Sequence, residues 1–116
     1  MSETFGQALR GYRRSAKISQ RELADRIGID FSYLSKLEND RISPPAADTV
    51  VAICHALGID PEELLALTGK IPSDIQKTVS TSVGAQTFLR EVQRMSLTDD
   101  EWQVLTKELR HLRAQR

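Results

Sequence analysis

The chain is predicted to be all-α, and three observations carry that expectation. Apolar residues recur at intervals of three and four along most of its length, the period of a helix face packed on a core. Helix-start signals precede several of these runs, and no alternating apolar and polar pattern of strand length lies between them. Across residues 19–38, two short amphipathic patterns meet at Gly28 with too few residues for an ordinary loop, as in a helix-turn-helix.

The first helix starts after Thr4, where Thr4 and Gln7 stand at capping-box spacing, and buries Phe5 and Leu9 with Tyr12 beside them. A second starts after Ser19. Its hydroxyl is placed to accept from the Glu22 amide while the Glu22 carboxylate reaches back to the Ser19 amide. Leu23, Ala24 and Ile27 share the inner face, and Ala24 is small where two helices must cross. Gly28 can take positive φ and end this helix, Ile29 plugs the corner, and Asp30 caps a third helix whose inward residues are Leu34 and Leu37. A helix held in this way turns its other side outward, at a width the DNA major groove accepts. Sequence-specific DNA binding is the functional expectation that follows.

Residues 39–43 read as a polar loop that would run along the DNA backbone, and Pro44 and Pro45 end it. A fourth helix from Ala47 to Leu57 is apolar at Val50, Val51, Ile53, Cys54 and Leu57 and stops at Gly58. Asp60 and Pro61 are expected to start a fifth, carrying Leu64, Leu65 and Leu67, which Gly69 ends. From Lys70 the character changes, so a boundary is expected near residues 69–72. It would separate a DNA-binding domain over residues 1–69 from a helical tail over 70–116. In the tail, a short helix begins near Ser73 with Ile75 and Val79 inward, and Ser80, Thr81, Ser82 and Gly84 loosen the chain. A helix over residues 85–95 follows, with Phe88, Val92 and Met95 on one side and Leu89 beside them. The last helix has a capping box at Thr98 and Glu101, a hydrophobic staple of Leu97 and Trp102, and acidic Asp99 and Asp100 at its positive end. Trp102, Leu105, Leu109 and Leu112 then recur at helical spacing. This stripe needs a partner, either the preceding helices or another copy of itself. With Phe88 and Val92 it forms the candidate dimerisation surface.

Composition narrows the function classes. The 116 residues suit one domain and an appendage, and Lys plus Arg equals Asp plus Glu at 16 each. The balance is local rather than uniform. From Arg10 to Arg41 eight basic residues face five acidic ones, whereas residues 42–69 hold four acidic and no Lys or Arg. Positive charge is therefore concentrated around the helix-turn-helix, as phosphate attraction requires. The single cysteine, the lack of a basic-then-apolar N-terminus and the absence of an apolar run of membrane-spanning length lead to a cytoplasmic expectation. His55 and His111 lie far apart, Cys54 has no second ligand pair at metal-site spacing, and no phosphate-cradling glycine loop or serine-histidine-acid arrangement is present. No enzyme activity, metal or cofactor is expected, and Cys54 reads as a buried core thiol.

The stretch ISQRELADRIGIDFSYLSKLENDR, followed by Pro44, Pro45 and Ala56-Leu57-Gly58, resembles the Xre/Cro-like family of phage-repressor-type transcriptional regulators over roughly residues 5–67. The resemblance implies a five-helix, lambda-repressor-like domain with a short helical oligomerisation region after it. Phe31, Ser32 and Lys36 match the family positions that most often touch base edges, on an outward face that also carries Ser35. Lys36 would donate to guanine, Ser32 donate or accept, and Phe31 lie against a thymine methyl. Gln20 begins the second helix where a phosphate would sit, and Arg21, Asn39 and Arg41 are further candidates for the DNA backbone. Tyr33 either reaches a phosphate or packs on the first helix. The family pairs an arginine and a glutamate at the positions of Arg13 and Glu38, which implies a structural ion pair. Two departures stand out: Lys17 replaces a common glycine, and Phe31 replaces a residue more often polar. The implied function is a dimeric repressor of an inverted-repeat operator; short relatives dimerise through the fifth helix, and here the tail after Lys70 is the favoured alternative. The alternative is an antitoxin or protease-regulated repressor whose tail binds a partner protein.

Overall fold

The computed structural model describes residues 3–115, all of whose regular structure is helical. The helices are α1 (Phe5–Ser15), α2 (Gln20–Ile27), α3 (Phe31–Glu38), α4 (Ala47–Leu57), α5 (Glu62–Thr68), α6 (Ser73–Ser80), α7 (Val83–Met95) and α8 (Asp99–Ala114). The chain divides into two units, one ending at Gln76 and the other starting at Lys77.

The first unit owes its core to one stripe from each of five helices. Leu9 of α1, Leu23 of α2, Leu34 and Leu37 of α3, Val50, Ile53 and Cys54 of α4, and Leu64 of α5 are essentially removed from solvent. Each fully buried aliphatic side chain contributes about 1.5–3 kcal/mol. Thr4 closes a complete capping box on α1 with Gln7. At α2 only half of the expected box forms. Ser19 accepts from the Glu22 amide, but the Glu22 carboxylate turns forward to Arg26 Nη2 at 2.6 Å. An i,i+4 ion pair outcompetes the backbone amide for that carboxylate. Asp60 likewise does not cap α5: Pro61 is the N-cap and no side chain bonds to it.

Two close approaches fix how α1 meets the end of α3. Asp40, at φ 55°, follows α3 and turns its carboxylate back onto α1. Oδ1 accepts from the Gly6 amide at 2.9 Å and Oδ2 from the Thr4 hydroxyl at 2.6 Å. A Cβ on Gly6 would lie 2.5 Å from the Leu37 carbonyl oxygen and 2.6 Å from that of Glu38. Glycine is thus required by the contact rather than by a turn. Gly6→Ala should destabilise the first unit by about 1–3 kcal/mol through forced separation of the helices, despite alanine's better helix propensity. An unchanged urea midpoint would show that α1 can shift at no cost.

The first unit runs past Gly69, where the sequence places a boundary. Lys70 Nζ donates to the carbonyls of Pro44 and Pro45, both at 3.0 Å, and Asp48 accepts from the Ser73 amide at 3.1 Å and the Ser73 hydroxyl at 2.8 Å. Those two bonds from Ser73 hold the Asp48 carboxyl below the usual range. Pro72 is buried among these contacts.

In the second unit the segment expected to be loose is ordered. Ser82 caps α7 by accepting from the Ala85 amide, so α7 starts at Val83. Thr98 and Glu101 complete the capping box on α8. None of the described residues of α7 or α8 is buried.

Candidate nucleic-acid interface

Gly28, at φ 72°, ends α2 in the left-handed conformation, and the Ile29 amide donates to the Ala24 carbonyl at 3.0 Å. Asp30 then starts α3, its Oδ1 accepting from the Ser32 amide at 3.0 Å and from the Ser32 hydroxyl at 3.1 Å. These bonds, with the charge of Lys36, hold the Asp30 carboxyl below its ordinary value. Leu34 and Leu37 face the core, while Phe31, Ser32 and Lys36 lie exposed on the outer side. Ser35 is half-buried, less exposed than Phe31, Ser32 and Lys36, and its backbone carbonyl accepts from Asn39 Nδ2 at 2.8 Å. Tyr33 is half-buried against the core cluster.

Arg13 and Glu38 meet in a bidentate pair, Nε to Oε2 at 2.6 Å and Nη2 to Oε1 at 2.9 Å, while Arg13 Nη1 donates to the Ile18 carbonyl at 2.9 Å. The Glu38 side chain has no exposed surface. Burial alone would raise its pKa. Hydrogen bonds from Arg13 and Gln20 and the charges of Arg13 and Arg10 outweigh that, and the net direction is down. The Glu38 bond in turn raises the Arg13 pKa.

Gln20 is part of this network. Its Nε2 donates to Glu38 Oε1 at 3.0 Å, so the side chain expected at a phosphate is turned toward Glu38. Asn39 is similarly engaged, with Nδ2 on the Ser35 carbonyl at 2.8 Å and Oδ1 accepting from Arg10 Nη2 at 2.6 Å. Arg41 is exposed beyond the end of α3. Arg21 lies over the Phe31 ring, its guanidinium carbon 4.7 Å from the centroid.

A shallow concavity beside α3 is lined by Arg10, Arg13, Arg14, Gln20, Arg21 and Phe31, with Ser19 at its edge. Arg10 and Arg14 were not among the expected contacts. Arg13 and Arg14, three and four residues after Arg10 on α1, were the available signal. Lys17, where the first helix turns into the second, adopts φ 58° as a glycine would. That conformation costs a lysine about 1 kcal/mol.

Away from this face, Cys54 is fully buried in α4, and burial together with the charge of Glu62 pushes its thiol up to about 11. Tyr12 donates its hydroxyl to Glu63, a bond that raises the Tyr12 pKa. In the second unit, Phe88, Trp102, Leu109 and Leu112 are 51%, 41%, 66% and 66% exposed, whereas Val92 and Leu105 are half-buried. Among the described residues no group of three His, Cys, Asp or Glu is arranged to hold a metal ion, and no helix is long and apolar enough to cross a membrane.

Two short helices locked across a left-handed glycine, the second with its outer face unpacked and basic residues beside it, define a helix-turn-helix protein. The chain belongs to the helix-turn-helix domain family, whose model matches residues 6–70. It is 31% identical over 94 residues to an uncharacterised HTH-type transcriptional regulator of Mycobacterium tuberculosis, covering 81% of this chain and 66% of that protein. The immunity repressor protein of Bacillus phage phi105 is 31% identical over 90 residues, 78% of this chain and 49% of the repressor. The chain thus spans between about half and two thirds of the length of these relatives. Among solved structures, that of the master regulator for biofilm formation SinR in complex with DNA aligns with a TM-score of 0.51 and 29% identity, over 53% of this chain and 98% of the chain in that structure.

Proposed function

We propose that this chain is a sequence-specific, DNA-binding transcriptional regulator, a dimeric repressor of an inverted-repeat operator, without catalytic activity. The observation that carries the reading is the outer face of α3. Phe31, Ser32 and Lys36 are exposed on a helix whose inner residues are locked in the core, and an arginine-lined concavity adjoins them. Such a helix enters the major groove while the flanking cations neutralise phosphates. The phage immunity repressor and the DNA-bound SinR support the same reading. One recognition helix contacts too few base pairs for genomic specificity, so two half-sites about one helical turn apart are needed. Work of this kind places the protein in the cytoplasm, at the nucleoid.

Within this reading Lys36 and Ser32 read bases, whereas Arg14, Arg41 and the first amides of α2 hold the backbone. The inward turn of Gln20 removes its side chain from the expected phosphate contacts, and Asn39 serves chiefly to tie α3 to Arg10. Lys36→Ala should lose about 1–3 kcal/mol on a selected operator with little change on random duplex. Arg41→Ala should weaken both alike and lower the salt slope by about one. Fluorescence anisotropy titrations over a range of salt concentrations separate the two, and identical behaviour of the variants would refute the assignment.

A further inference from the structure

The stack of Arg21 on Phe31 is not explained by the framework of the fold. Phe31 is the first residue of α3 and is 38% exposed, a large apolar ring on a face otherwise made of hydroxyl and ammonium groups. Arg21 makes no ion pair or hydrogen bond among the described residues, and its guanidinium rests instead over that ring. A guanidinium held over a ring by cation–π attraction makes no hydrogen bond to it, so its N–H donors remain unspent. The contact therefore orients the ring from one side without using the donors that would meet a phosphate. Both residues line the concavity beside the recognition face.

We propose that Arg21 and Phe31 act as one unit that selects a 5-methyl pyrimidine, thymine in ordinary DNA, at one position of each half-site. This inference rests on the DNA-binding reading. In the major groove thymine alone of the four bases offers an apolar group, while the edges of adenine, guanine and cytosine carry donors and acceptors. A phenyl ring set against those polar groups would strip their water and give no hydrogen bond in return. The ring thus favours the methyl and disfavours its competitors. Arg21 is the positioning residue: its stack confines the ring to one orientation, and its free edge donates to the neighbouring phosphate.

The test uses the full chain and duplexes that it selects from a random pool, with each thymine replaced singly by deoxyuridine, which removes only the methyl group. At one position per half-site affinity should fall about fourfold, the effect of losing one buried methyl-sized contact. Phe31→Ala should bind thymine and deoxyuridine equally there. Arg21→Lys, which keeps the charge but not the guanidinium over the ring, should retain the salt slope and lose most of the methyl preference, with an unchanged melting temperature. Specific binding with no methyl preference at any position overturns the inference and leaves the DNA-binding reading intact. A preference that survives in Arg21→Lys overturns the role of the stack. Failure of the chain to select any sequence overturns the reading and the inference together.

Discussion

Arg13→Ala should lower the melting temperature of the first unit by more than about 10 °C. The substitution removes a bidentate partner from a carboxylate with no exposed side-chain surface. It also frees the Ile18 carbonyl that Arg13 Nη1 satisfies. Breaking such a pair from one side costs about 3–5 kcal/mol, because the remaining charge stays buried. Arg10, 3.5 Å from Glu38, and Gln20 offset part of the loss and set the expectation near the lower end. Each kcal/mol moves the midpoint of a unit this size by about 4–8 °C. The pH dependence has a definite sign. The folded pKa of Glu38 is depressed, so its contribution is present above the unfolded carboxylate value of about 4.3 and is lost as pH falls through the folded value. Wild type and variant should therefore converge in acid. Thermal melts followed by circular dichroism from pH 7 downward measure both effects. A normal midpoint with weakened operator binding would make Arg13 a phosphate contact and remove it from the framework.

Leu109→Glu should convert a dimer into a monomer and lower operator affinity by roughly a hundredfold or more. Trp102, Leu109 and Leu112 project from α8 and Phe88 from α7 with much of their surface in water. Burying side chains of this kind is worth roughly 1.5–3 kcal/mol each. Several together from both copies meet an association cost of about 4–15 kcal/mol. Charge placed in the middle of the stripe removes that gain. Losing the linkage between two DNA-binding units then removes the effective concentration that raises affinity. Sedimentation of wild type, Leu109→Glu and a chain ending at Gln76 checks the assignment, the cut falling after Ser73 so that its bonds to Asp48 are retained. If all three are dimeric, the interface lies on α5 and the stripe serves another protein. If all three are monomeric, the stripe belongs to a partner of different sequence.

The local parts of this architecture were legible and the long-range polar parts were not. Gly28 as the left-handed stop, Ala24 at the helix crossing, and the boxes at Thr4 and Thr98 depend on neighbours within one turn, which spacing records directly. Glu22 shows where spacing runs out: the Ser19 amide and Arg26 were both within its reach, and the ion pair won. Gln20 with Glu38, Arg10 with Asn39, Asp40 with Thr4 and Gly6, and Ser73 with Asp48 join groups far apart in the sequence. No periodicity encodes such pairs. They account for the turn of Gln20 toward Glu38 and for the extension of the first unit to Gln76. The exposed outer face of α3, with Phe31, Ser32 and Lys36, was legible because Leu34 and Leu37 fix the opposite side of a regular helix. The stack of Arg21 on Phe31 was not, since it depends on the angle at which α2 meets α3.

The buried thiol of Cys54 gives the molecule its own clock. With the sulfur sealed in α4 and its pKa pushed to about 11, the nucleophilic thiolate is scarce and out of reach at neutral pH. An alkylating reagent can therefore label the chain only when the helices around α4 part. The labelling rate counts those openings at a single atom, in native buffer and without an added chromophore. Because this is the chain's sole cysteine, the signal comes from the first unit alone. Slower labelling on addition of operator DNA would register binding as suppressed breathing of the core, at concentrations where optical melts give no signal.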